Sequence, residues 1–194
     1  MITTEQIKSL RDSTGVSVMQ CKKALEEAGG DAEQALAILR KKSKDIAAKK
    51  SDRVFGAGTI ASYVHSTGTV GALVELVSET DFVSKNEDFV KLARDIAMHI
   101  TAANPEFVKT SEISEEVKEK ARELFKGEVV DKPVAMQEKI LEGKLASYFK
   151  ERVLLEQPYI KNPDVTIGGL IEEAIQKFGE KVEIARMVRF SVLS

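Results

Sequence analysis

Few side chains in this sequence have the types and spacing that covalent chemistry needs. His65, His99 and Cys21 are its only histidines and cysteine, and their separation leaves no visible metal-ligand cluster. The sequence contains no G-x-x-x-x-G-K-[ST] phosphate loop, no H-E-x-x-H and no G-x-S-x-G. The GAG at residues 56–58 is too short to mark a nucleotide site. The stretch ELVSETDFVSKNEDF, residues 75–89, offers a different kind of chemistry. There an apolar, strand-like run exits into Thr80-Asp81-Phe82-Val83, with a large aromatic beside a carboxylate. The carboxylate is suited to accepting a hydrogen bond or competing for a cation's surroundings. The aromatic supplies contact area of the kind that dominates interface energetics. This is binding chemistry.

The elements around that exit decide what it can do. Ser84-x-x-Glu87 matches a capping box and predicts a helix with Ser84 as its N-cap. Residues 80–83 then lie in a connection, where Phe82 has no helical face to occupy. Two readings stay open on the residues alone. In one, Phe82 folds back into the core and Asp81 tightens the turn. In the other, Phe82 projects as a wedge toward a partner.

The rest of the chain divides by texture. Residues 1–40 predict three short helices: Ile7 and Leu10 on the first, capped by Thr3 or Thr4; Val18, Cys21, Leu25 and Ala28 on the second; Ala32, Ala35, Leu36 and Leu39 on the third, capped by Asp31. Helices this short must bundle to persist. Residues 41–57 read as a basic linker or helical tail; the run from 40 to 53 carries seven basic and two acidic side chains.

From residue 58 to 194 the pattern is mixed. A hairpin turns at Ser66–Thr69, and Phe89, Leu92, Ala93, Ile96 and Ile100 give a helix ending near Asn104-Pro105. Two charged or long helices follow, the first with Val117, Ala121 and Leu124 on one side and the second from about Val134 to Leu155. A strongly periodic helix spans Ile167 to Phe178, and EIARMVRFSVLS alternates as a returning strand. The predicted class is α+β: a three-helix bundle, then a core in which a small antiparallel sheet packs against helices.

Composition narrows the partners. The 194 residues are 43% hydrophobic, enough for a real core, and 29 basic against 31 acidic side chains leave a formal charge of −2. That balance gives no global reason to expect nucleic acid or a membrane. The basic run lacks interleaved aromatics for base stacking. A single cysteine, no signal-like start and no ~20-residue apolar stretch fit a cytoplasmic protein.

Several blocks, in order, resemble translation elongation factor Ts, the guanine-nucleotide exchange factor for elongation factor Tu. LRDSTGVSVMQCKKALEEAGGDAEQALAILRKK is similar to that family's N-terminal module, a three-helix bundle like ubiquitin-associated domains. ETDFVSKNEDF carries its Thr-Asp-Phe-Val signature, and AMHITAANPEFV, KILEGKL and LLEQPYIKNPDVTIGGLI match core segments. The resemblance implies that Phe82 inserts between helices of the GTPase partner and disturbs its magnesium and phosphate contacts, so that GDP leaves. Asp81 is then its polar neighbour, and Thr80 and Val83 shape the exit.

The resemblance also implies that the bundle docks on the GTPase through Val18 and Met19. It makes Lys49 and Lys50 further candidate contacts, against the plainer reading of a solvated face; His65, at the hairpin tip, is another candidate, against that of a solvated loop histidine. Many family members carry aspartate where this chain has Gln20. The core has room for one copy of a pattern that longer members duplicate, so a homodimer is expected, noncovalent at RMVRF because that segment has no cysteine. No cofactor or metal is implied. The rival readings are an enzyme, for which no catalytic constellation is visible, and a generic binding module, which explains only residues 1–40.

Overall fold

The computed structural model describes residues 2–130 and 133–192. Three helices open the chain: α1 (Thr4–Thr14), α2 (Val18–Glu27) and α3 (Ala32–Lys49). Thr3 caps α1 in a reciprocal capping box with Gln6, Ser17 caps α2, and Asp31 caps α3 by accepting from Gln34 N–H. Leu10, Val16, Cys21, Ala24, Leu25, Ala35 and Leu39 form the bundle's own buried core. Val18 is not among them: the chain turns inward at Val16 and leaves Val18 on the outer first turn of α2. The spacing that put Val18 on the apolar stripe is therefore corrected by the loop before it.

The basic run does not leave the protein at residue 40. α3 continues through Lys49 because its second half has a surface to cover: Ser43 is buried, and Ile46 and Ala47 pack against the main core. The basic side chains occupy the remaining, solvated faces.

The core holds a three-stranded antiparallel sheet in the order β1 (Ala57–Val64), β2 (Val70–Ser78), β5 (Val182–Ser191). The predicted hairpin therefore forms, with residues 65–69 as its turn, and the C-terminal segment returns as an edge strand. Its last two residues, in the predicted MVRFSVLS strand, lie outside the described residues. A one-turn helix α4 (Asp81–Ser84) follows β2 and leads into α5 (Glu87–Ala103). Then come α6 (Glu115–Val129), α7 (Val134–Lys150), the two short strands β3 (Pro158–Tyr159) and β4 (Asn162–Thr166), and α8 (Ile167–Phe178).

One sheet face is covered. Phe89, Ile96 and Ile100 of α5 and Ile167, Ile171 and Ile175 of α8 join Val74, Leu76 and Ile184 in one core. Phe89 meets Phe178 edge-on with ring centroids 5.9 Å apart.

Other expectations change. α5 is capped by Asn86, whose side chain accepts from Asp88 N–H at 2.9 Å, and not by Ser84. Ser84 is buried, and its backbone carbonyl is held by the Thr59 hydroxyl at 2.7 Å. In α6 the inward side runs through Ala121, Phe125 and Val129, while Leu124 is exposed; Phe125 meets Tyr148 of α7 edge-on. α7 stops at Lys150, and Leu154–Glu156 form a separate 3-10 turn. The β3–β4 pair was not foreseen, because β3 has two residues and β4 buries only Val165 of its five, so neither carries a readable alternation.

Candidate functional site

Phe82 occupies the outer side of α4 and is 88% exposed, the most exposed large apolar side chain among the described residues. Its neighbour Val83 is buried in the main core. Successive residues on a helix point about 100° apart, so burying Val83 turns Phe82 outward. Burying a phenylalanine side chain is worth about 1.5–3 kcal/mol, and the fold forgoes that here. Phe82 neither folds back into the core nor lies in an irregular connection.

The turn is held from several sides. Lys85 N–H bonds to Asp81 C=O at 3.1 Å, and Asn86 N–H to Val83 C=O at 3.0 Å. Ser78 Oγ donates to Thr80 C=O at 3.0 Å. Asp81 pairs with Lys85 Nζ at 2.7 Å. That hydrogen bond, and then the lysine's charge, holds the Asp81 carboxyl below the ordinary aspartate range. Asp81 therefore stays an anion beside the exposed ring.

Thr80 is the N-cap of α4, yet its side chain caps nothing. Its hydroxyl donates instead to Glu180 Oε1 at 2.5 Å, and its N–H to Glu180 Oε2 at 3.0 Å. Glu180 reaches this position because α8 ends at Gly179 in the left-handed conformation, φ 70°, which reverses the chain toward β5.

Next to it, Glu79 accepts from Lys181 N–H at 2.5 Å and pairs with Arg53 at 2.9 Å. Burial works against ionised Glu79. The bonds from Lys181 N–H and Arg53, with the charges of Arg53 and Lys50, outweigh it and keep the carboxyl below its ordinary value. Lys181 Nζ donates to Ser51 C=O at 2.5 Å and to Arg53 C=O at 3.1 Å, and lies 4.5 Å from the Phe55 ring centroid.

The other predicted residues are spread out. Val18 and Met19 are both exposed, at 53% and 64%, at the start of α2. Lys49 is exposed at the end of α3, whereas Lys50 Nζ is engaged with Gly179 C=O at 2.5 Å. His65 stands at the turn of the β1–β2 hairpin, its Nδ1 3.4 Å from the Tyr63 hydroxyl. The Ala57–Ser78 end of that hairpin adjoins α4 and the Val64–Gly71 end adjoins His65. At a rise of about 3.3 Å per residue, His65 lies on the order of 20 Å from the signature. Lys50 reaches Thr80 only through Gly179 and the adjoining Glu180, and His65 lies apart.

Sequence reasoning missed Glu79, Glu180, Lys181 and the exposed Val54. Glu180 is 100 residues from Thr80, and no local pattern signals such a pairing. His99 is buried: Gln157 donates its amide nitrogen to Glu151 C=O, so its Oε1 accepts from His99 Nε2 at 2.9 Å. Among the described residues no helix is long and apolar enough to cross a membrane, and no His, Cys, Asp and Glu group is arranged to hold a metal.

The family model for Elongation factor TS matches residues 20–193. The chain belongs to the elongation factor Ts family. Elongation factor Ts of Carboxydothermus hydrogenoformans is 48% identical over 99% of this chain and 89% of its own length. That of Desulforamulus reducens is 47% identical over 98% of this chain and 89% of the relative. That of Thermodesulfovibrio yellowstonii is 47% identical over 98% of this chain and 96% of the relative. These matches cover nearly the whole chain, whereas the family model begins at residue 20, after Val18 and Met19. Within the elongation factor Ts family, then, this chain holds the Thr-Asp-Phe-Val segment as a braced turn with its aromatic facing solvent.

Proposed function

We propose that this protein is the guanine-nucleotide exchange factor for elongation factor Tu. It binds the GDP-bound and nucleotide-free forms, disturbs the magnesium and phosphate contacts, and so promotes GDP release during translation elongation in the cytoplasm. It makes and breaks no covalent bond. The observation that carries this reading is the 88% exposure of Phe82 on a turn whose next residue is locked in the core.

Exchange is a coupling between two binding events. The factor must prefer the distorted or empty GTPase, and whatever weakens nucleotide binding weakens factor binding equally when nucleotide returns. Each tenfold loss of nucleotide affinity requires about 1.4 kcal/mol. A desolvated aromatic anchor supplies about 2 kcal/mol or more, so Phe82 accounts for part of a large effect and other contacts share it. Val18 and Met19 on the bundle are the apolar candidates, and Lys49 and Lys50 the charged ones, with His65 reaching a separate part of the partner.

A homodimer completes this proposal. Among the described residues nothing covers the sheet face opposite α5, and it is apolar: Ile60 and Val64 of β1, Leu73 of β2, and Val188 and Phe190 of β5 are all exposed there. The Glu75–Arg186 pair, 2.5 Å apart, is the charged element among them. A self-complementary face of this kind fits an isologous two-fold contact without any covalent link.

The test is release of a fluorescent GDP analogue from elongation factor Tu, with the parent chain and with Phe82→Ala. Acceleration by the parent and a loss of about tenfold or more in the variant is the expected result. Equal acceleration by both moves the mechanism to other contacts. No acceleration by either, with a matched partner, overturns the exchange reading.

A further inference from the structure

An isolated helical turn does not hold its own shape in water, because nucleation fixes several dihedrals for one hydrogen bond. The direction of Phe82 must therefore be imposed on α4 from outside. Val83 supplies one anchor by entering the core. Ser84 beside it is also buried, its carbonyl held by the Thr59 hydroxyl, so both anchors lie at the C-terminal end of the turn. The N-terminal end is fixed at Thr80, whose carbonyl already accepts from Ser78 Oγ.

Both donors of Thr80, the backbone N–H and the hydroxyl, end on the two oxygens of Glu180, at 3.0 and 2.5 Å. Glu180 is itself held on a fixed turn. Gly179 before it accepts from Lys50 at the end of α3. Lys181 after it is bound through its backbone N–H to Glu79 and through its ammonium to the carbonyls of Ser51 and Arg53. On the other side Gly56 N–H bonds to Ser78 C=O at 3.1 Å, which lays the segment leading into β1 along the end of β2. The reversal after α8 is thus wedged between the chain leaving the bundle and the chain entering α4.

We propose that Glu180 is a positioning residue for Phe82: by gripping Thr80 it fixes the direction in which the ring leaves the surface. This rests on the wedge reading of Phe82. It assigns a role to a residue 100 positions from Thr80 in sequence. The grip uses oxygen acceptors in a fixed pair, so a carboxamide of the same length preserves most of it: its oxygen accepts from Thr80 N–H, and its nitrogen donates to the hydroxyl.

The experiment is stopped-flow release of a fluorescent GDP analogue from elongation factor Tu. It uses the full chain and its Glu180→Ala, Glu180→Gln, Phe82→Ala and Phe82→Ala/Glu180→Ala forms, each checked for an unchanged circular-dichroism spectrum. Glu180→Ala is expected to lower the maximal release rate about tenfold, since small misplacements of a functional group cost that much or more. The half-saturating concentration should stay within about twofold, because docking through the bundle is untouched. Glu180→Gln should recover most of the rate. In the Phe82→Ala background, Glu180→Ala should change nothing further, as expected when one residue acts through the other.

A parental rate for Glu180→Ala, or the same fold loss in both backgrounds, overturns the assignment while leaving the wedge intact. A Phe82→Ala protein as fast as the parent removes the wedge and, with it, the positioning role.

Discussion

Gly15, at the C-terminal cap of α1, lies directly over the stem of Lys177 on α8: a Cβ built on Gly15 would sit 3.0 Å from both Cδ and Cε. Lys177 continues past it to Asp88 on the first turn of α5, Nζ to Oδ2 2.7 Å. The bundle is thus seated on the core across a glycine that is also in the left-handed conformation, φ 67°. Gly15→Ala should therefore lower stability by about 1–2 kcal/mol from backbone strain, with a further loss from displacing Lys177. Lys177→Met, which keeps the stem and drops the partly exposed ion pair, should cost under about 1 kcal/mol. Urea unfolding of both variants checks the order; equal losses would mean that the close approach does not matter.

Phe82 and Val83 are adjacent in sequence and should give opposite phenotypes. Phe82→Ala removes a solvated ring and should change folding stability by no more than about 0.5 kcal/mol. Val83→Ala opens space in the core under the same turn and should cost roughly 1–3 kcal/mol. Chemical denaturation midpoints of the two proteins test this directly. A large loss from Phe82→Ala would show that the ring packs somewhere in solution.

Much of this architecture was legible because it is written in local spacing. α5 and α8 repeat their apolar residues at helical intervals, and β1 and β2 flank an obvious turn, so the sheet-and-helix core followed. The failures have physical causes. Ser84 had the right spacing for a cap, but Asn86 competes for the same helix start, and burying Val83 pulls Ser84 inward with it. The basic run from residue 41 shows no strong apolar period because only Ser43, Ile46 and Ala47 meet the core, too few to register. Leu124 reads as inward-facing in the sequence because an i, i+3 step from Ala121 is as regular as the i, i+4 step to Phe125 that the fold uses. The signature itself was visible; the Glu180 grip on it depends on a contact across half the chain.

If the uncovered sheet face joins two chains, a charge placed at its centre should separate them. Leu73 faces Val188 across the β2–β5 register, with Phe190 paired to Gly71 beside it. Leu73→Asp and Phe190→Asp are both exposed-face changes, so each should leave the fold intact. Light scattering after size exclusion should show twice the chain mass for the parent and a single chain mass for either variant at micromolar concentration. A monomeric parent would remove the dimer from the proposal without touching the wedge.

His99 provides a pH test in the core. Burial lowers its proton affinity below the ordinary histidine value, and the hydrogen bond with Gln157 only partly offsets this. Its Nδ1 faces Ile160 N–H at 3.4 Å, so a proton added there would meet another donor. The folded state thus disfavours the charged ring. Between the folded-state value and about 6.5, the unfolded chain holds a proton that the folded chain does not, so stability falls as pH drops through that window. One such proton sets a limiting slope of about 1.4 kcal/mol per pH unit. Glu172 and Glu173 on α8 act in the opposite sense: burial raises both, so their contribution is fullest below the ordinary glutamate range and is lost as pH rises. The difference between the parent and His99→Gln isolates the imidazole. The variant should be less stable at pH 7.5 and should lose less of its stability between pH 7.5 and pH 5.5, measured by urea unfolding. Parallel pH profiles for the two proteins would rule out His99 as the titrating group.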